Sequence, residues 1–333
     1  MRARKIILKN YFDGKPNLNN FELVEESILE TLEDREILLK AVWLSVDPYM
    51  RAFGNRMNVG DTILGSQIAQ VVKSRHPGFP EGNKVIAFVG WRDMTICNPD
   101  KLKGLFRGVF PMPDLQGLPD SYALGVCGLT GLAAYFGLLK ICQPKSGETV
   151  VISSAAGGTG SVAGQIAKIK GCKVIGFAGS EEKVRWLLDL GFDQSFNYKE
   201  INVDHTLKKW AVEGVNCYFD NVGGDLTFWV LQNTNESGRV ALCGAISSYN
   251  DDPKTAKVQF DYTSMIYKQI KMEGFLVNRW FPEWGPAIGE LIGWVKDGRV
   301  KSRETVVEGF ESLPQAFIDI FEGKNVGKMI VAV

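Results

Sequence analysis

Residues Glu148 to Lys170, ETVVISSAAGGTGSVAGQIAKIK, constrain the fold more than any other stretch of this chain. Glu148 to Ser153 is short, β-branched and bounded by polar residues, and Val162, Ile166 and Ile169 recur at helical spacing after a glycine turn. The segment predicts a strand that turns sharply into a helix. Ala155, Gly157 and Gly160 fall on the positions of a G-x-G-x-x-G pattern, with alanine replacing the first glycine. Small residues there let backbone N–H groups approach a pyrophosphate, which the positive end of the helix dipole stabilises. An ordinary glycine-rich connection would read the same way, so the surroundings must decide.

Downstream of the turn, Lys173 to Ala178, Gln194 to Tyr198, Val215 to Asn221, Arg239 to Ala245 and Met272 to Val277 read as strands. Helical patterns at Glu181 to Leu190, Asp204 to Val212 and Asp225 to Gln232 separate most of them. Such alternation predicts an α/β fold built on a parallel, doubly wound sheet with the glycine turn at its first crossover. Upstream, the apolar runs Ile37 to Leu44, Gln67 to Val72 and Lys84 to Phe88 are separated by Gly, Pro and Asp turns, which predicts an irregular, mostly β domain. After about residue 296, Val300 to Gly309 reads as a strand, Leu313 to Phe321 as a helix and Lys328 to Val333 as a strand, a tail expected to return to the first domain. The expected domains are therefore 1–122 with 297–333, and 123–296. A chain that crosses twice leaves a cleft, where ligands tend to bind.

Composition removes several function classes. A length of 333 residues with 45% hydrophobic content supports two cores, and 38 basic against 38 acidic residues give no electrostatic reason to bind nucleic acid or an anionic membrane. The cysteines at 97, 127, 142, 172, 217 and 243 stand singly, and only His76 and His205 accompany them, so neither a zinc site nor a disulfide framework is expected. A reduced, cytoplasmic setting follows. The start, MRARKIILKN, lacks the apolar core of a signal peptide, and the final MIVAV matches no lipidation signal. Ser121 to Leu139 carries no charge but contains Gly125, Gly128, Gly131 and Gly137, and is expected to form a buried helix between domains, not a membrane span.

The end of the second strand bears on the choice of dinucleotide. An NAD site usually offers Asp or Glu to the ribose there, yet Phe177-Ala178-Gly179-Ser180 is small and neutral, and Lys183 follows one helical turn later. An ammonium and a hydroxyl suit a ribose phosphate, so the sequence points to NADPH; Glu181, Glu182 and Lys183 could also simply decorate a helix start. Asp220-Asn221-Val222-Gly223-Gly224 and Cys243 to Tyr249 end two later strands, where ligands approach open parallel sheets, or else serve as turns. In the first half, Pro48 fixes the direction of Tyr49 and Arg51, a pattern that fits a site and a packed structural turn equally well.

Taken together, LSVDPYMR (44–51), GLTGLAAYFGLL (128–139), GQIAKIKGCKVIG (164–176), FNYK (196–199), CYFDNVGG (217–224), CGAISSYN (243–250), MEGFLVNRW (272–280) and NVGK (325–328) resemble the zinc-independent medium-chain dehydrogenase/reductase group of prostaglandin reductases and plant alkenal double-bond reductases. The resemblance spans essentially the whole chain. It implies a GroES-like catalytic domain made from both chain ends, a Rossmann-like NADPH domain between them, and a homodimer. It implies NADPH contacts by Gly158, Thr159, Gly160 and Ser161 at the phosphates and by Lys183 and Tyr198 at the ribose phosphate. Asn221, Cys243, Gly244, Ala245, Ile246, Ser247, Ser248, Phe275, Leu276, Val277 and Asn325 match the remaining cofactor positions, and Tyr49, Arg56 and Tyr267 match residues near the substrate pocket.

The reaction implied is metal-free reduction of the carbon–carbon double bond of α,β-unsaturated ketones and aldehydes, including 15-oxo-prostaglandins and alkenals. Tyr249 matches the tyrosine that aligns the hydroxyl stabilising the enolate. Two departures are visible. Asn250 to Lys257 replaces a proline-rich loop at the substrate entrance, and AAGGTG stands where the group has AAGAVG, a change that resembles quinone reductases. A quinone reductase of the same fold and a non-catalytic NADPH-binding protein are the competing readings.

Overall fold

The computed structural model describes residues 1–29, 31–104, 108–252 and 256–333, and the chain divides into two compact units. Unit 2, Gly125–Glu304 with Val326–Lys328, holds a six-stranded sheet. Its strands are β1 (Thr149–Ile152), β2 (Lys173–Ala178), β3 (Gln194–Asn197), β4 (Val215–Asp220), β5 (Thr234–Leu242) and β6 (Lys271–Gly274). They run in the order β3-β2-β1-β4-β5-β6 with every pair parallel, a Rossmann-like arrangement. All four residues of β1 are buried, as a strand covered on both faces requires.

Helices α1 (Gly158–Ile169), α2 (Glu181–Asp189), α3 (Val203–Trp210) and α4 (Gly224–Gln232) follow β1, β2, β3 and β4. Val151, Ile175, Phe177, Leu207, Val230 and Val240 form part of one core in this unit. Gly160 and Gly164 face inward on α1; a side chain at Gly164 would enter the ring of Phe192. The helix therefore packs closely on the sheet only because these positions lack a Cβ.

Three expected elements change shape. β5 begins at Thr234 and stops at Leu242. The Cys243 N–H makes the last ladder bond, to the Asp220 carbonyl at 2.8 Å, and the Gly244 N–H turns back to that same carbonyl at 3.1 Å, which ends the ladder. β6 stops at Gly274, with a 3-10 segment over Val277–Glu283. The uncharged run from Ser121 is not one helix: a 3-10 turn (Asp120–Leu124), an α-helix (Leu129–Phe136) and a π turn (Gly137–Cys142) share it. A Cβ at Gly131 would drive into the Val126 carbonyl, and the Gly131 N–H donates to the Gly125 carbonyl at 3.0 Å, so the glycines fold the run back on itself. Most of its apolar residues are buried, and among the described residues no helix is long and apolar enough to cross a membrane.

Unit 1, Met1–Leu124 with Thr305–Asn325 and Met329–Val333, is mostly β. Arg2–Leu8 pairs antiparallel with Phe21–Ser27, and a seven-stranded sheet joins Glu304–Glu308, Lys328–Ala332, Ile37–Ser45, Gln67–Ser74, Lys84–Phe88 and Gly108–Pro111, with Met94–Cys97 on Ile37–Ser45. Ile37, Leu39, Ala69, Val71, Val85 and Ala87 alternate along their strands into one core. The helix Leu313–Phe321 buries Leu313, Ala316, Phe317 and Ile320, spaced i, i+3, i+4, i+7, and its Phe317 ring joins Phe12, Phe21 and Trp91 at centroid distances of 6.0–6.1 Å.

Candidate active site

The turn from β1 to α1 is tight. Ser154 adopts φ 46°, in the left-handed region, and the Gly157 N–H closes onto the Ser154 carbonyl at 3.0 Å. Ser180 and Asn202 cap α2 and α3 with their side chains, and the Val222 and Gly223 N–H groups leading into α4 both reach the Asp220 carboxylate at 2.9 Å. The start of α1 has neither device: no side chain caps Gly157, and its first turn holds no acid. Gly158, Thr159 and Gly160 thus sit where N–H groups without an intrahelical partner and the helix dipole favour an anion, whereas the Ser161 N–H already donates to the Gly157 carbonyl at 3.0 Å and Ser161 offers its hydroxyl. Gly327 supports the turn from the other side. Its N–H donates to the Ala156 carbonyl at 2.8 Å, and it bridges Gly157 in parallel.

Asp220, at the end of β4, is the buried hub of the neighbouring loops. Its Oδ1 accepts from Ser153 Oγ at 3.0 Å, from Tyr218 Oη at 2.9 Å and from the Val222 and Gly223 N–H groups. Its Oδ2 accepts from Thr227 Oγ1 at 2.5 Å. Burial, followed by the Asp220 charge, pushes the Tyr218 hydroxyl well above the ordinary tyrosine range and keeps it a donor. Asn221 ties three loops together: its N–H donates to Ser153 Oγ at 2.8 Å, its Nδ2 to the Ser153 carbonyl at 2.7 Å, and its carbonyl accepts the Ile246 N–H at 3.2 Å. Ser247 donates from its N–H and its Oγ to the Val222 carbonyl, at 3.1 and 2.6 Å.

Between these loops lies a cavity of about 360 Å³, bounded by Asp220, Cys243, Gly244, Ala245, Tyr249 and the mostly apolar stretch Val258, Gln259 and Phe260. Tyr249 Oη accepts the Ala245 N–H at 3.1 Å, and burial raises its pKa, so the phenol retains a proton to donate. A Cβ at Gly244 would lie 3.2 Å from that oxygen. Sequence reasoning places Asp220 at a strand end where ligands approach but misses its role as the organiser of this region, for which the only signal is an acid at the end of a buried strand.

At the ends of β2 and β3, Tyr198 is 47% exposed and its N–H donates to the Ala178 carbonyl at 3.1 Å. Lys183 is partly buried on the first turn of α2, and burial lowers its pKa, with the charge of Lys199 acting in the same direction. Among the described residues between Phe177 and Ser180 there is no acid to repel a phosphate, so Lys183 and Tyr198 could hold one.

The remaining positions are dispersed. Phe275 packs on Phe219 and Trp280 at 6.4 and 5.7 Å, Leu276 is exposed and Val277 is buried. Tyr267 is 80% exposed and does not line the cavity. In unit 1, Tyr49 opens the helix Tyr49–Gly54, with Phe53 edge-on at 6.3 Å and Arg56 over the Phe53 ring at 5.1 Å. Burial raises the Tyr49 hydroxyl well above the usual range. Asn325 also belongs to unit 1. In the loop Asn250 to Lys257, Pro253, Lys254 and Thr255 lie outside the described residues.

Residues 4–105 match the family model of the N-terminal domain of oxidoreductases, and residues 158–292 that of zinc-binding dehydrogenases. Prostaglandin reductase 1 of Oryctolagus cuniculus is 48% identical over 330 residues, covering 98% of this chain and 93% of that protein. The NADP(+)-dependent 2-alkenal reductase of Nicotiana tabacum is 37% identical, covering 99% of this chain and 97% of that protein. The chain belongs to the zinc-independent medium-chain dehydrogenase/reductase family. The solved structure of CurA of Vibrio vulnificus in complex with NADPH superposes with a TM-score of 0.90 at 37% identity, and the match covers 99% of both chains. Among the described residues of this family member, no group of three or more His, Cys, Asp or Glu could hold a metal ion.

Proposed function

We propose that the chain is an NADPH-dependent reductase of the carbon–carbon double bond of α,β-unsaturated ketones and aldehydes, with 15-oxo-prostaglandins, related oxidised lipids and alkenals as substrates. The Tyr249 hydroxyl carries this reading: it is anchored by the Ala245 N–H at 3.1 Å, keeps its proton and lines a largely apolar cavity. The names of the prostaglandin and 2-alkenal reductases support the substrate class.

When bound, NADPH supplies the hydride that the β-carbon accepts. Gly158, Thr159, Gly160 and Ser161 hold its pyrophosphate, the first three through their N–H groups and Ser161 through its hydroxyl, and Lys183 and Tyr198 hold its ribose phosphate. Asn221, the loop Cys243 to Ser248, Phe275 to Val277 and Asn325 complete the cofactor site, and Tyr49, Arg56 and Tyr267 serve the substrate. Negative charge develops on the carbonyl oxygen of the substrate, and Tyr249 aligns the hydroxyl that donates to it until the α-carbon is protonated. Residues 1–122 and 297–333 form the catalytic domain and 123–296 the NADPH domain.

The molecule acts as a homodimer. β6 is an outer strand of its sheet, and Ile266, Tyr267, Leu276 and Phe281 expose apolar surface in the segments flanking it. Six free thiols suit the reducing cytoplasm.

The test is cofactor oxidation with a medium-chain enone, an enal and a quinone, each assayed with NADPH and NADH. Turnover of the enone and enal with at least about tenfold preference for NADPH is expected. Turnover of the quinone alone, or NADPH binding without oxidation, overturns the proposal. In Tyr249→Phe, kcat should fall by about 10–100-fold while NADPH affinity stays within about twofold. Because burial raises the Tyr249 pKa, the protonated donor persists as pH rises, and any loss of turnover from its ionisation should set in at a higher pH than an ordinary phenol would give. An unchanged rate in Tyr249→Phe removes the residue from the mechanism.

A further inference from the structure

We propose that Lys199 is a second cationic ligand for the ribose phosphate, sharing the dianion with Lys183 and setting the preference for a phosphorylated nucleotide. The inference rests on the NADPH reading above and adds a residue to it. β2 and β3 are neighbours in parallel register, with Asn197 beside Ala178, so the segments leaving the two strands emerge side by side. Gly179 follows β2; Tyr198 and Lys199 follow β3. A Cβ placed on Gly179 would lie 3.4 Å from Tyr198 Cε1 and 3.5 and 3.6 Å from Lys199 Cε and Nζ, so the Lys199 ammonium rests against the turn that leads into α2.

Lys183 stands on the first turn of that helix, close enough to Lys199 for the second charge to depress its pKa, after burial. Two ammonium groups thus converge on one turn. Of the nearby acids, Glu182 pairs with Arg303 at 2.9 Å while its charge still favours the Lys183 ammonium, and Glu200 accepts from Asn197 Nδ2 at 2.6 Å. Among the described residues Lys199 has no ion pair. Its contacts are its N–H on Asn197 Oδ1 at 3.3 Å and a cation–π approach to Tyr198 at 6.0 Å, the outer limit of such contacts. Like charges held near one another repel in the absence of ligand, and a phosphate dianion reverses the sign of that interaction. The Asn197 side chain fixes the turn by accepting the Lys199 N–H and donating to Glu200, which sets the direction in which the Lys199 side chain leaves the backbone.

The probes are 2′,5′-ADP and 5′-AMP, which differ only in the 2′-phosphate, titrated calorimetrically into the full chain and into Lys199→Gln, Lys199→Arg, Lys183→Gln and the double variant. Lys199→Gln should weaken 2′,5′-ADP by about tenfold and leave 5′-AMP within about twofold, and Lys199→Arg should restore most of the difference. The double variant should bind the two nucleotides almost equally. Wild-type affinity for 2′,5′-ADP in Lys199→Gln, alongside a clear loss in Lys183→Gln, overturns the role of Lys199 and leaves the NADPH reading intact. Equal losses for both nucleotides in Lys199→Gln overturn it also, as a general disturbance of the site. A wild-type chain that binds 2′,5′-ADP no better than 5′-AMP overturns the NADPH reading itself.

Discussion

Asp220→Ala is expected to lower stability by about 3–5 kcal/mol, the range for removing one partner from a buried charged network. The carboxylate accepts from Ser153, Tyr218, Val222, Gly223 and Thr227, and all these donors lose their acceptor at once. Each buried donor left unsatisfied costs about 1–3 kcal/mol, reduced where the loops relax or water enters the gap. Asp220→Asn separates charge from hydrogen bonding. An amide oxygen can retain the four donors now on Oδ1, and the Thr227 hydroxyl can turn to accept from the new amide nitrogen. Its loss should therefore be about 1–2 kcal/mol. Urea unfolding of both variants measures the contrast; equal midpoints would show that hydrogen bonding at this carboxylate does not hold the loops. Because Asn221 and the Cys243 to Tyr249 loop hang from the same strand end, Asp220→Ala should also reduce turnover beyond its effect on the folded fraction.

In Gly160→Ala the expected effect falls on nucleotide affinity. The added Cβ would lie 2.9 Å from Ala155 Cα and 3.1 Å from its carbonyl oxygen, and closer still to the Ser154 carbonyl. Every one of these atoms is backbone, so no rotamer change relieves the contact and α1 must move away from the end of β1. That movement misaligns the N–H groups that face the phosphates. A loss of about a hundredfold in 2′,5′-ADP affinity, ~2.7 kcal/mol, is expected by calorimetry. Gly157→Ala provides the control within the same turn. Gly157 has φ −84°, open to any residue, and its Cβ would meet the Ser154 carbonyl only at 3.2 Å, so a loss of less than about fivefold is expected. Equal losses in the two variants would remove close helix–strand packing as the reason for glycine at 160.

The contrast between 157 and 160 also marks how far the sequence can be read. The strand, turn and helix at 149–169 are legible because their constraints are local: β-branching, small residues at fixed spacing and a helical apolar period. Lys183 is legible from a missing acid at the end of β2. Local rules fail where glycine and hydropathy conflict, as between Ser121 and Leu139, where an apolar run with helical period is folded back at Gly131. They also fail where a role exists only in three dimensions. Nothing near Asp220 in sequence announces Ser153 as a partner, and Gln165 reaches from α1 to the Lys301 carbonyl at 2.9 Å without a local signature. Lys199 is intermediate, since its place becomes visible once β3 is known to lie beside β2.

The support that Gly327 gives to the glycine turn has a consequence for biogenesis. Its N–H holds the Ala156 carbonyl and its φ is 72°, where a side chain would strike the Arg303 carbonyl. A ribosome produces the turn long before it produces Gly327. At roughly 5–20 residues per second, this interval is on the order of ten seconds or longer. Throughout it the emerging polypeptide carries a turn of the correct sequence but without one of its two walls. The complete turn, with the hydrogen bond that holds the Ala156 carbonyl, therefore forms only after the downstream segment has been translated.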